Sequence, residues 1–150
     1  MVLGSHTFIK VVNNSEFGVV ESDKSVKVGS AKSVRIWAEP NFSAAERTAK
    51  ILEGTGAKVI CAFCNISNSH LSNIPEEIDC DCLIAGDDKE SKEIAIELIN
   101  KIPGIRTIDT GVLEKARIIE KITPLLIGLN IKYKSHYGGL RITGIPKLDE

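Results

Sequence analysis

The feature that most constrains this chain is an alternation of strand and helix signals running from Asp79 to Gly144. Asp81-Cys82-Leu83-Ile84-Ala85 is a short apolar run closed by Gly86. Asp87 and Asp88 follow, and a carboxylate there can accept the free N–H groups of a first helical turn. Ile94, Ala95, Leu98, Ile99 and Ile102 recur at helical spacing until Pro103-Gly104 stops the helix. Residues 105–110 are extended again, and Gly111 opens a second helical run, Val112 to about Tyr133. Strands alternating with helices of this length imply parallel pairing with crossover helices. The expected class is α/β, a partial doubly wound, Rossmann-like and mostly parallel sheet over residues 41–150.

Residues 1–40 read differently. Thr7–Val12, Phe17–Val20, Ser25–Val28 and Ser33–Trp37 are short β-prone runs separated by polar turns, a small β-rich segment of antiparallel strands. A helix then starts at Ser43, with Glu46 three residues on completing a capping box. It ends at Gly54 and Gly56. Lys58–Phe63 is a strand, and a polar loop to Pro75 holds one helical turn near Ser69–Asn73.

Two short motifs yield to simpler explanations. Cys61-Ala62-Phe63-Cys64 and Cys80-Asp81-Cys82 have nearly the spacing of a zinc ribbon. Zinc needs each pair on a tight knuckle, whereas both pairs sit in extended runs, where Cys61 and Cys64 should face opposite sides. Buried thiols are expected, with no metal site. Asp109-Thr110-Gly111 matches the aspartic protease tripeptide, but it joins a strand to a helix and reads as a cap. Asp87-Asp88 reads the same way.

A net charge of −1 over 150 residues gives no reason to expect nucleic acid or an anionic membrane as partner. No apolar run approaches membrane-spanning length, and residues 1–12 lack the long apolar stretch of a signal peptide. A cytoplasmic location is expected. The last helical run is rich in Ile and Leu over a wide arc, so a homo-oligomer, a dimer first, is expected.

From about Phe42 to Ile145 the chain resembles the C-terminal half of the NADPH-dependent coenzyme F420 reductases. The resemblance rests on Ala85-Gly86-Asp87-Asp88, Ile102-Pro103-Gly104-Ile105-Arg106 and Ala116-Arg117-Ile118-Ile119-Glu120. It continues through Thr123-Pro124-Leu125-Leu126-Ile127, Gly128-Leu129-Asn130 and Gly139–Ile145. It implies an oxidoreductase moving hydride between NADP(H) and a deazaflavin, coenzyme F420. It also implies that the protein positions the cofactors and supplies no catalytic acid or base. Arg117 and Thr123 match the family's ring-orienting residues. Cys64 and Asn65 would line the pocket, with Cys64 standing where histidine is usual. Lys121 stands where small residues are usual.

The family's glycine-rich phosphate loop follows a strand and opens a helix. Gly54-Thr55-Gly56 follows a helix and precedes a strand, so it reads as a turn. The chain is therefore expected to lack that loop and to bind NADPH poorly alone, whether as a truncated paralogue, as a split subunit with a partner chain carrying a nucleotide-binding half, or as a domain reused elsewhere. A rival reading is a non-catalytic oligomerisation or ligand-binding module derived from the family. Any pocket is expected between the end of the Val59–Phe63 strand, the turn at Gly86 and the middle of the last helix. There Pro124 would free the Glu120 carbonyl beside the Thr123 hydroxyl.

Overall fold

A computed structural model describes the backbone of residues 8–13 and 16–19, and residues 42–72 and 77–145. The elements in chain order are β1 (Phe8–Asn13), β2 (Glu16–Val19), α1 (Ala44–Ile51), β3 (Lys58–Ala62), α2 (Asn68–Leu71), β4 (Asp81–Gly86), α3 (Lys89–Ile99), β5 (Arg106–Asp109) and α4 (Ala116–Tyr133). A single 3₁₀ turn, Leu113–Lys115, leads into α4. The strand runs at Ser25–Val28 and Ser33–Trp37 lie outside the described residues.

The five strands form one sheet in the order β2-β1-β3-β4-β5. The class is α/β, with α3 crossing between the parallel pair β4 and β5. The strand directions are more mixed than a mostly parallel sheet. β3 runs antiparallel to β4, with Ile60 opposite Gly86 and Cys61 opposite Ala85. β1 runs antiparallel to both β2 and β3. Among the described residues the connection from β3 to β4 carries the single turn of helix α2, where a parallel pair is usually joined by a full crossover helix.

Burial follows the period of the strands. Val59, Cys61, Leu83 and Ala85 face one side, where Ala45 of α1 and Ala116 and Ile119 of α4 close over them. Ile60, Ala62, Cys82 and Ile84 face the other, under Ala95 and Ile99 of α3. All six residues of β4 are buried, as befits a strand covered on both faces.

Local signals set the helix ends. The Ser43 hydroxyl accepts from the Glu46 N–H at 3.1 Å, while the Ser43 N–H donates to Glu46 Oε2 at 2.9 Å. Asp88 Oδ1 accepts from the Ser91 N–H at 2.9 Å. Asp87 reaches forward instead, its Oδ1 accepting from the Leu113 N–H at 2.8 Å. Asp109 accepts from the Gly111 N–H at 2.8 Å and from Lys92 Nζ at 2.9 Å. These bonds occupy the carboxylates that could have suggested a metal or a protease. Among the described residues no group of His, Cys, Asp and Glu is arranged to hold a metal ion, and no helix is long and apolar enough to cross a membrane.

Candidate functional site

The edge where β3 ends against α4 gathers most of the residues singled out above. β3 stops because Phe63 adopts φ 63°, a left-handed conformation that a bulky side chain seldom takes. The reversal turns Cys64 back under the strand, and its Sγ comes to 3.5 Å from that of Cys61. The expectation that the two thiols face opposite sides is therefore corrected. It assumed an extended chain through Phe63, and one left-handed residue undoes the alternation.

The same turn presents two further groups. The Cys64 carbonyl accepts a hydrogen bond from the Thr123 hydroxyl, tying the middle of α4 to the end of β3. Asn65, 1% exposed, spends its amide on β4. Its Nδ2 donates to the Asp81 carbonyl at 2.5 Å, and its Oδ1 accepts from the Leu83 N–H at 3.1 Å. Asn65 thus acts as an extra rung of sheet, and both ends of its amide are engaged.

Arg117 sits elsewhere. Its guanidinium forks onto Glu46 of α1, with Nε to Oε2 at 2.8 Å and Nη2 to Oε1 at 2.6 Å, and a third nitrogen reaches Glu114 at 3.0 Å. Phe42 lies under the same group, 5.6 Å from ring centre to guanidinium carbon. The hydrogen bonds from Arg117 hold the Glu46 carboxyl down at about 2. Lys121 is exposed and makes no ion pair among the described residues. The structure brings Cys64, Asn65 and Thr123 together and places Arg117 and Lys121 outside that group.

Sequence reasoning missed the side chain of Glu120. Its two oxygens accept from the Ala44 and Ala45 N–H groups at 2.9 and 3.1 Å, so it caps α1 from the other helix. Burial raises its pKa against the lowering effect of those two bonds. No local pattern could reveal a partner 75 positions away. Asp81 was equally hidden. Fully buried, it receives Arg106 Nε and Nη2 at 2.9 and 2.7 Å, Arg141 Nη1 at 3.0 Å and the Ile142 N–H at 2.6 Å. That cluster straps residues 140–142 across the start of β4, where the Leu140 carbonyl accepts from the Asp81 N–H at 2.7 Å.

A shallow depression of about 230 Å³ opens between α1, the start of β3 and the β4–α3 turn, lined by Ala49, Lys58, Val59, Asp87, Asp88 and Leu113. It shares the turn after Gly86 with the expected pocket. It lies at the start of β3 rather than its end, and the middle of α4 does not line it.

No family model matches the chain. The F420-dependent NADP reductase of Methanothermobacter marburgensis is 55% identical over 105 residues, 70% of this chain and 47% of that protein. The one from Methanothermobacter thermautotrophicus is 46% identical over 128 residues, 85% of this chain and 54% of that protein. That of Methanocaldococcus jannaschii is 48% identical over 114 residues, 76% and 50% of the two chains. The resemblance holds: this chain is related to the F420-dependent NADP reductases. It spans about half the length of the curated relatives it matches. A solved structure described as a candidate F420-dependent NADP-reductase from Arthrobacter sp. FB24 shares the fold, with TM-score 0.62 and 20% identity over 69% of this chain and 47% of that one.

The residues of this reductase relative can be tested against the two cofactors of its relatives' name. A pyrophosphate wants bare N–H groups at a helix N-terminus behind a strand. Among the described residues, the turns from β4 to α3 and from β5 towards α4 have that order, but Asp87, Asp88 and Asp109 fill them with carboxylates. Like charge excludes phosphate there, so these turns do not fit NADP. The β3–α4 edge carries different groups. The Thr123 hydroxyl donates inward and keeps acceptor capacity, and Lys121 is an exposed cation two residues before it.

Proposed function

We propose that this chain is an oxidoreductase component of F420-dependent NADP reduction, acting in hydride transfer between NADP(H) and the deazaflavin coenzyme F420. The observation that carries the proposal is 46–55% identity to three proteins of that name over 105–128 residues. When bound, the two cofactors supply the hydride chemistry themselves, and the protein orients and shields them. In this chain Thr123 would orient the deazaflavin, with Cys64 shaping the turn behind it and Lys121 offering a charge to an anionic substituent. Asn65 would support that turn from beneath, and Arg117 would hold α4 against α1. The phosphates of NADP would be met by residues other than the described helix starts, in a partner chain or in a further nucleotide-binding half.

We propose further that the protein works as a homo-oligomer in the cytoplasm. Ile118, Leu125, Leu129 and Tyr133 lie along one side of α4 and are 41–68% exposed, an apolar stripe that asks for cover. The four cysteines are free and buried, in keeping with a reducing compartment.

The test is a fluorescence titration of the purified protein with the deazaflavin and with NADPH separately. Micromolar binding of the deazaflavin alone supports the reading. Absence of deazaflavin binding, with the protein shown to be folded, overturns it.

A further inference from the structure

The thiol groups of Cys61 and Cys64 take no part in the proposed hydride chemistry. We propose that Cys61 and Cys64 form a reversible dithiol–disulfide couple, oxidised by a small-molecule disulfide of the glutathione type.

Geometry carries the inference. The two Sγ atoms lie 3.5 Å apart on the same side of β3, and a disulfide needs about 2.05 Å, so closure asks for roughly 1.5 Å of movement by two side chains. Phe63 has already made the turn that brings them together, with φ 63° and a supporting bond from the Ile66 N–H to the Phe63 carbonyl at 3.1 Å. Cys80 and Cys82 are an internal contrast. They are as deeply buried, at 1% and 0% exposure. Cys80 lies just before β4 and Cys82 within it, both packed in the same cluster, and residues two apart in extended chain are separated by about 6.6 Å, beyond the roughly 3.5–4.5 Å that a disulfide allows between Cβ atoms.

The chemistry balances as two exchanges. Cys64, at 6% exposure the less enclosed of the two, attacks one sulfur of the oxidised tripeptide as thiolate. A mixed disulfide forms and one reduced glutathione leaves. Cys61 then gives up its proton and attacks the Cys64 sulfur, releasing the second glutathione. Two protein thiols are oxidised by two electrons and one small disulfide is reduced to two thiols. Burial and the hydrogen bond to Cys64 push the Cys61 thiol well up, so exchange is slow and waits on opening of the 63–66 turn. Cys64 follows the end of a strand and does not open a helix, the position that would activate a thiolate. It is an equilibrium couple rather than a catalyst of disulfide exchange. Because Cys64 also carries the carbonyl that holds Thr123, oxidation acts on the segment that anchors α4.

The experiment uses the wild-type protein, folded and anaerobic, equilibrated for hours in buffers of varied reduced and oxidised glutathione. Free thiols are then alkylated and the protein is mapped by mass spectrometry. The expected result is a species lighter by about 2 Da before alkylation, with the single bridge between Cys61 and Cys64 and Cys80 and Cys82 fully alkylated. Protection of the Ile66 amide from hydrogen exchange should rise roughly tenfold in that species, because the bridge restrains opening of the turn. Four alkylated cysteines at every ratio, or a bridge involving Cys80 or Cys82, would overturn the proposal. If Cys64→Ser folds, it must show no bridge under the same conditions, and a bridge in that variant would also overturn it. If it does not fold, the wild-type map decides alone.

Discussion

The Thr123 hydroxyl donates to the backbone carbonyl of Cys64, joining residues 59 positions apart at the seam between α4 and the end of β3. Thr123 precedes Pro124, which lies inside α4 without breaking it. The bond therefore fixes the helix to the sheet where the helix lacks one of its own N–H donors.

Thr123→Val keeps the shape of the side chain and removes that bond. The expected loss is about 1 kcal/mol of folding free energy, the net worth of one hydrogen bond plus part of the cost of an orphaned carbonyl. Urea unfolding would measure it, with an unchanged slope showing that the fold is retained. In the same variant the deazaflavin affinity should fall, while a folded variant with undiminished affinity would remove Thr123 from the ring's surroundings.

The ion pair of Glu46 with Arg117 makes stability depend on acid in a stated direction. The Glu46 carboxyl titrates at about 2 in the folded chain against an ordinary 4.5. Its contribution is present above pH 4.5 and is lost as the pH falls towards 2. Glu46→Gln should remove that part of the acid loss. At neutral pH it should cost about 1 kcal/mol, because the pair is partly solvated and the side chain also completes the cap at Ser43. Unfolding followed between pH 7 and pH 2 in both proteins would show whether their difference narrows over that window.

Much of this arrangement was legible because it is local. The cap of Ser43 with Glu46, the cap at Asp88 and the α3 crossover between β4 and β5 each depend on residues close in sequence. The direction of β3 was not legible, because its link to β4 is about as long as the β4–β5 crossover and its polar sequence does not distinguish a reversal from a crossover. The meeting of Cys61 with Cys64 was hidden by Phe63, whose side chain gives no hint of a left-handed backbone. The roles of Asn65, Glu120 and Asp81 were hidden for a different reason. Each is defined by partners 16 or more positions away, and polar residues show burial only once the sheet is assembled.

Asp81 offers a sharp test of that buried polar layer. Asp81→Ala leaves Arg106, Arg141 and the Ile142 N–H without their shared acceptor. Arg106 and Arg141 keep access to water, so the expected cost is that of the lost charge-assisted hydrogen bonds, about 1.5–3 kcal/mol. Hydrogen exchange should report faster opening of residues 140–142 before global unfolding. Asp81→Asn should be milder in packing and still lose the charge, so the two variants together separate the carboxylate's charge from its volume.

The exposed stripe on α4 gives the last prediction. Leu125 is 58% exposed and Leu129 41% exposed, one helical turn apart, with Ile118 at 63% on the same side. Burying such side chains is worth about 1.5–3 kcal/mol each, and leaving them in water favours association. Neither residue lies in either described hydrophobic cluster, so Leu125→Glu should leave unfolding of the single chain within about 0.5 kcal/mol of wild type. In an assembly packed through this helix, the same change would place an unpaired carboxylate at the centre of an apolar contact. Sedimentation at tens of micromolar is expected to show an oligomer for the wild type and a monomer for Leu125→Glu. A wild-type monomer would overturn the proposed homo-oligomer, and a variant that associates as strongly would move the interface away from α4.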